Sequence, residues 1–423
     1  MTDLSSDLRG PNHPPNSPSR YGVSLTKRCW SIYALAVALR LILIFGFGRG
    51  EFVRAEPQHV ALALAQKGQF ADPYAAPTGP TAHLAPVFPI VIAPFYAIWG
   101  DTPAADRARV AAGPFLGSIP YALLPLVSEW LGLSLWVGTL AGLLGAMLPA
   151  HLYFESLNEF EAPLTGVALL LSMRWLARPP KPWLEGLFWG ASMLVSPVVG
   201  PCAVGLVFLR VGRSLVARDV LVMIAAAACV VLPWTTRNYV QLGAFYLVRD
   251  NFGLELNESN RDGADPVLIR AMLTDHFQRT HPHPSVAVAA QIANRGEAWF
   301  EREQLEGAKS WIMTHPLEFV RLTLRRMSNF WMPWLLQKPA KYFLRGVSLV
   351  GFLGLFLLVR SKAFAAGPLA ALWATYALPY YLAANEPRYG LPIWWSQLLL
   401  LAYVSEKIRA WDFRREVRLE KYP

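Results

Sequence analysis

The chain has 423 residues, of which 54% are hydrophobic and only 16% charged, with a mean hydropathy of +0.30; an ordinary soluble domain carries charge on about a quarter of its residues. The net charge of +10 does not point to nucleic acid, because Lys and Arg sit in short segments between apolar runs and in the tail 407–421, where they act as topology signals. Cys29, Cys202 and Cys229 lie in apolar stretches without CxxC spacing or an accompanying His, which supports neither a disulfide framework nor a zinc site.

Residues 1–28 are rich in Pro, Ser and Asn and read as a disordered cytoplasmic segment. The first apolar run, 30–47, lacks a small-residue cleavage site and is expected to be retained. Lys27 and Arg28 before it place the N-terminus in the cytoplasm and Glu51 outside. From 51 to 84 the chain is polar and broken by Pro and Gly, with a helical pattern at 57–65, so an external loop with juxtamembrane helices is expected. The run 85–99 is short and contains Pro86, Pro89 and Pro94, which suits an interfacial or partly inserted helix. Spans follow at 108–127, 131–150 and 163–176, and Arg174, Arg178 and Lys181 mark the cytoplasmic side. The stretch 184–209 carries Pro197, Gly200 and Pro201 in its middle and cations at both ends, which predicts a tight hairpin. A span at 220–233 leads into a mixed-polarity region, 234–340. There Arg321, Arg325 and Arg326 mingle with Phe330, Trp331 and Trp334 as in an interfacial helix. Spans at 343–359, 365–384 and 391–404 leave the basic tail in the cytoplasm.

The sum is an all-α integral protein of the inner membrane with about ten transmembrane helices and both termini inside. It divides into the N-terminal segment 1–28, a membrane core 29–235 that includes the external loop 50–106, a second external region 236–340, C-terminal transmembrane helices 341–405 and the tail 406–423. No internal repeat of the kind seen in many transporters is present.

Candidate chemistry gathers outside. The first loop holds Arg54, Glu56, His59, Asp72 and His83. Glu56 could take a proton from an incoming hydroxyl or amine, and burial near lipid would raise its pKa toward the working range; as a bland alternative it is a loop acid or a helix N-cap partner. Asp72 before Pro73 reads as a turn residue. The second region offers Arg237, Asn238, Arg249, Asn251, Glu255 and Asn260, and guanidinium groups at a membrane surface suit a lipid phosphate. Pairing of these arginines with Asp250 and Glu258 is the competing explanation. Arg388 and Tyr389, between the last two spans, could add a phosphate contact or merely anchor the interface. Glu155, Glu159 and Glu161 follow the third span, and acids so near hydrocarbon are expensive.

Three strings resemble the polytopic GT-C glycosyltransferases, in the branch of protein O-mannosyltransferases and lipid A aminoarabinose transferases. One is Glu56 with Val60, Ala61, Leu64, Gly68, Phe70, Pro73 and the Gly79 to Ala82 run leading to Pro86 and Pro89. The second is Pro233, Trp234, Arg237, Asn238, Tyr239 and Gly243, continuing through Asn251 to Leu256, and the third is Arg388, Tyr389 and Pro392. The resemblance implies Glu56 as the catalytic acid or base and a polyprenyl-phosphate sugar donor, its phosphate near Arg237, Arg249 and Arg388. His59, His83, Glu161, Asn238, Asn251, Glu255, Asn260 and Tyr389 are then candidates for binding substrate. A divalent metal is possible but is not supported by a clear acidic pair, since Pro57 follows Glu56 directly, and no other cofactor is expected. The chain lacks the large soluble C-terminal domain of the branch, which leaves the acceptor open: lipid, glycan or protein. Membrane lipids are expected partners and nucleic acid is not. A lipid or solute transporter or flippase is the alternative. It would string polar residues through the spans, where the sequence shows little beyond Arg40.

Overall fold

A computed structural model of the chain describes residues 22–46, 54–148, 161–334 and 338–421. Glu51, Glu155, Glu159 and the N-terminal segment up to residue 21 lie outside the described residues. Regular structure among the described residues is helical, with only isolated bridges such as Ala71 with Pro80 beside it. In hydrocarbon a helix satisfies each backbone N–H and C=O within its own segment.

In chain order the principal helices are α1 (Gly22–Leu41), extended by a wider turn Ile42–Gly46, α2 (Glu56–Lys67), α3 (Val87–Trp99), α4 (Pro103–Gly117), α5 (Leu135–Met147), α6 (Glu161–Leu176), α7 (Pro182–Val195), α8 (Val199–Phe208) and α9 (Ala217–Leu242). Then come α10 (Phe252–Ser259), α11 (Val286–Arg295), α12 (Glu297–Thr314), α13 (Pro316–Trp331), α14 (Lys338–Arg360), α15 (Ala366–Tyr376) and α16 (Leu391–Lys421). Four helical segments are long and apolar enough to cross a membrane: Ser24–Gly46, Pro103–Trp130, Ala217–Leu242 and Pro339–Arg360. They leave Leu221, Ile224 and Leu232 of α9 and Leu349, Phe352 and Phe356 of α14 exposed, a surface that a soluble protein would hide. The protein is a helical membrane protein.

The other expected spans are also helices, but α5, α6, α8 and α15 have 13, 16, 10 and 11 residues, short of the roughly 20 that a crossing takes. The expected hairpin is present: Glu185 near its start forms a buried ion pair with Arg210 just past its end. Its arms α7 and α8, of 14 and 10 residues, reach only about 21 and 15 Å at 1.5 Å per residue. α7 lies directly on α9, since a Cβ on Gly186 would stand 2.3 Å from the Met223 carbonyl and one on Gly190 2.7 Å from that of Ala227. Small residues at such a contact let backbones approach where the hydrophobic effect offers no drive.

The first half of α16 is apolar on all sides and serves as the central post. Its Ile393, Trp395, Leu398 and Leu399 pack with Ile32, Tyr121, Leu124, Val137 and Leu169 in one buried cluster. Arg40 of α1 is 3% exposed and faces protein rather than lipid, donating to the Ala36 and Gly145 carbonyls at 3.1 and 3.4 Å above the Tyr121 ring. Two expectations need correction. The span expected to stop at Pro233 continues as helix to a left-handed Gly243, so Trp234 to Asn238 sit on a helix and not in a loop. In α13 the exposed stripe is Leu317, Val320, Leu324 and Met327, as an interfacial helix requires, but Arg326 points inward and is fully buried.

Candidate functional site

The site begins at the N-terminus of α2. Ala55 is extended, its N–H donates to Gln58 Oε1 at 3.0 Å, and Pro57 occupies a first-turn position where no N–H is needed. Glu56 thereby sits where the helix dipole favours a carboxylate. After a left-handed Gly68, Asp72 takes the N–H groups of Thr78 and Gly79 at 3.0 and 2.8 Å and the Lys67 ammonium at 2.8 Å, a turn role as expected. The returning strand of loop brings His83 beneath Glu56, with Nε2 3.5 Å from the carboxylate and Nδ1 3.0 Å from the Tyr74 hydroxyl. His283 Nδ1 lies 4.0 Å from the same Glu56 oxygen, and the His59 ring stacks on His283 at 6.4 Å.

Burial alone would raise the Glu56 pKa, but the imidazoles of His83, His281 and His283 outweigh it and hold the carboxyl well below the usual range. The expected upward shift is thus overturned, because the loop supplies partners that the sequence does not show together. For His83 burial opposes the charge and Glu56 favours it, with a net rise.

The second region grips this loop by its backbone. Arg237 donates from Nη1 to the Thr81 carbonyl at 2.5 Å and from Nη2 to that of Phe70 at 2.7 Å, between the rings of Phe70 and Trp234. Asn238 Nδ2 holds the carbonyls of Tyr246 and Val248 at 3.1 and 3.2 Å. Both are positioning residues in this arrangement. Arg249 Nε donates to the His83 carbonyl at 3.1 Å, which sets it beside the Glu56 pair. Glu255 on α10 belongs to the same neighbourhood: burial raises its carboxyl, and the charges of His83 and Arg249 act against that rise. Asn251, 8% exposed, immediately precedes α10. Asn260 ends that helix as a structural link, donating to the Leu256 and Leu382 carbonyls at 2.7 and 3.0 Å and accepting Arg326 Nη1 at 3.0 Å. Arg388 pairs with Glu386 and stands over the Tyr389 ring, which stacks on Tyr380 at 5.0 Å. Burial raises the Tyr389 hydroxyl, Arg388 opposes, and Glu386 and Glu255 add to the rise, so the last loop faces α10. Glu161 opens α6, and among the described residues no hydrogen bond or ion pair joins it to this cluster.

Sequence reasoning missed the carboxylates beneath. Glu297 and Glu301 lie one turn apart on α12, a spacing that places both on one face. Glu297 accepts the Thr81 hydroxyl and the Ala82 N–H, each at 2.6 Å. Glu301 Oε2 accepts the Leu254 N–H at 3.1 Å, and a Cβ on Gly253 would lie 2.3 Å from the Glu301 carbonyl, so α10 and α12 meet only through glycine. The competing explanation, in which Asp250 pairs with an arginine, is not what the structure shows: Asp250 is buried, and among the described residues neither of its carboxylate oxygens has a hydrogen-bond partner, nor has Glu301 Oε1. Burial and Glu297 push Asp250 well above its ordinary value, and burial takes Glu301 up to about 8. A groove of about 740 Å³ lined by Lys27, Arg28, Ile32 and Leu143 holds none of these groups. Comparison with protein-family models, with curated proteins and with solved structures finds no match to this chain.

Proposed function

We propose that the chain is a membrane glycosyltransferase that moves a sugar from a polyprenyl-phosphate donor to an acceptor at the non-cytoplasmic face of the inner membrane. The observation that carries this reading is convergence: Glu56 and His83 of the first loop meet Arg249 of the second region at the edge of a body whose flanks are apolar. In the proposed step an acceptor hydroxyl oxygen bonds to the anomeric carbon, its proton passes to Glu56, and the bond to the phosphate oxygen breaks with its electron pair leaving on the lipid phosphate. Arg249, with Arg388 from the last loop, would receive that charge. A carboxylate held low is a weak base, and a phosphate leaves well enough for a weak base to serve.

Contacts between distant segments support a common side for the two polar regions and the last loop. The Asp250 N–H donates to the Ala82 carbonyl and the Leu268 N–H to that of Asn385, at 3.0 and 3.1 Å. Each pair shares a side, so an even number of crossings separates its members, as about ten crossings with both termini in the cytoplasm require. Purified protein given a radiolabelled polyprenyl-phosphate sugar should release or transfer the sugar, and Glu56→Gln should slow this roughly 100-fold or more. Full turnover by that variant would remove Glu56 from the chemistry. Lipid or solute flux in vesicles without sugar transfer would favour a transporter.

A further inference from the structure

We propose that His83, Asp250 and Glu301 form a binding site for one divalent transition ion, Zn²⁺ or Mn²⁺, on the buried side of the Glu56–His83 pair. One ligand atom from each residue lies within 4.8 Å of the others, and all three side chains are buried, at 1%, 4% and 2% exposure. Convergence of acids alone would not carry the point. What adds to it is that three carboxylate oxygens in this pocket, both of Asp250 and Oε1 of Glu301, have no hydrogen-bond partner among the described residues. Leaving a buried acceptor unmet costs about 1–3 kcal/mol, and more for a charged group. Glu297, which raises Asp250, is itself held by Thr81 and Ala82.

The donor set decides the class of ion. An imidazole with two carboxylates suits zinc or manganese, whereas calcium and magnesium take oxygen throughout. His83 Nε2 faces Glu56 at 3.5 Å and Nδ1 meets the Tyr74 hydroxyl at 3.0 Å, so a cation on Nδ1 would take the place of the Tyr74 hydroxyl. Ligating histidines characteristically donate the other ring N–H to a carboxylate, and here that carboxylate is Glu56. The ion site stands without the transferase reading; only the idea that the ion takes an oxygen of the donor phosphate rests on it.

The test uses the full-length protein in detergent, stripped with a chelator, dialysed and titrated with Zn²⁺ or Mn²⁺ alone. One equivalent per chain is expected by elemental analysis, with a rise in Tm. X-ray absorption of the Zn²⁺ form should show one imidazole nitrogen with oxygens. Asp250→Asn and Glu301→Gln should each weaken binding by roughly 100-fold or more, and Glu56→Gln by about 10–100-fold, as loss of a supporting carboxylate does. No stoichiometric uptake, a sulfur-bearing or multi-histidine shell, or variants that bind like the parent would overturn the site. A protein that holds the ion but transfers no sugar would sink the transferase reading alone.

Discussion

At Glu56 the local sequence shows the position and hides the partners. Pro57 and the apolar residues behind it mark a helix start, so an acid at the head of α2 is legible. The imidazoles that reverse its expected pKa, His83 foremost, come from as far away as residue 283. No periodicity links such positions. His281 makes the electrostatics testable by itself. Its Nδ1 accepts the His283 N–H at 3.1 Å and its ring stacks on Phe277 at 4.3 Å, so the neutral form is the one built in. Burial lowers its pKa to about 4, against about 6.5 for a free imidazole. Below pH 6.5 the unfolded chain binds a proton that the folded chain refuses, so stability from this residue falls as pH drops from about 6.5 to about 4. The loss amounts to roughly 3 kcal/mol at the acid end. Thermal unfolding from pH 7 to 4.5 should therefore show a shallower decline for His281→Gln than for the parent, and parallel curves would refute a buried neutral His281.

Helices are the scale at which the sequence speaks most clearly and lengths mislead most. Each apolar run became a helix, because composition alone dictates internal hydrogen bonding in lipid. Where a helix stops depends on tertiary contacts. α9 passes Pro233 because Trp234 and Thr235 bind the Val248 and Leu247 carbonyls beyond the turn, at 2.8 and 2.7 Å. Arg326, placed by pattern at the interface, instead ties α13 to Ser259, Asn260 and Leu382. Close packing between helices is open to direct test at the α7–α9 contact. Gly190→Leu should destabilise the protein by about 1–3 kcal/mol or more, since neither facing backbone can retreat cheaply. Gly200→Ala is the control, because a Cβ there meets only the flexible end of Met193 at 3.8 Å. Equal melting temperatures for the two variants would show that the contact is looser than described.

For the whole molecule, membrane residence is evident from charge content, and the convergence of the two polar regions is not. Glu297 is the clamp between them, so Glu297→Ala should free residues 70–84. Removing two bonds to a charged acceptor should raise amide exchange there by an amount equivalent to roughly 2–4 kcal/mol of local opening, with α16 unchanged. Unaltered exchange in 70–84 would mean that Arg237 holds the loop alone. The clamp also has a consequence in time. Thr81 and Glu297 are 216 positions apart, and at about 5–20 residues per second a ribosome needs roughly 10–40 s to make that stretch. Throughout that interval the nascent first loop waits without its acid, and it waits longer for the segment that carries Arg388. Translation that halts before Glu297 would leave an inserted fragment whose first loop lacks this clamp.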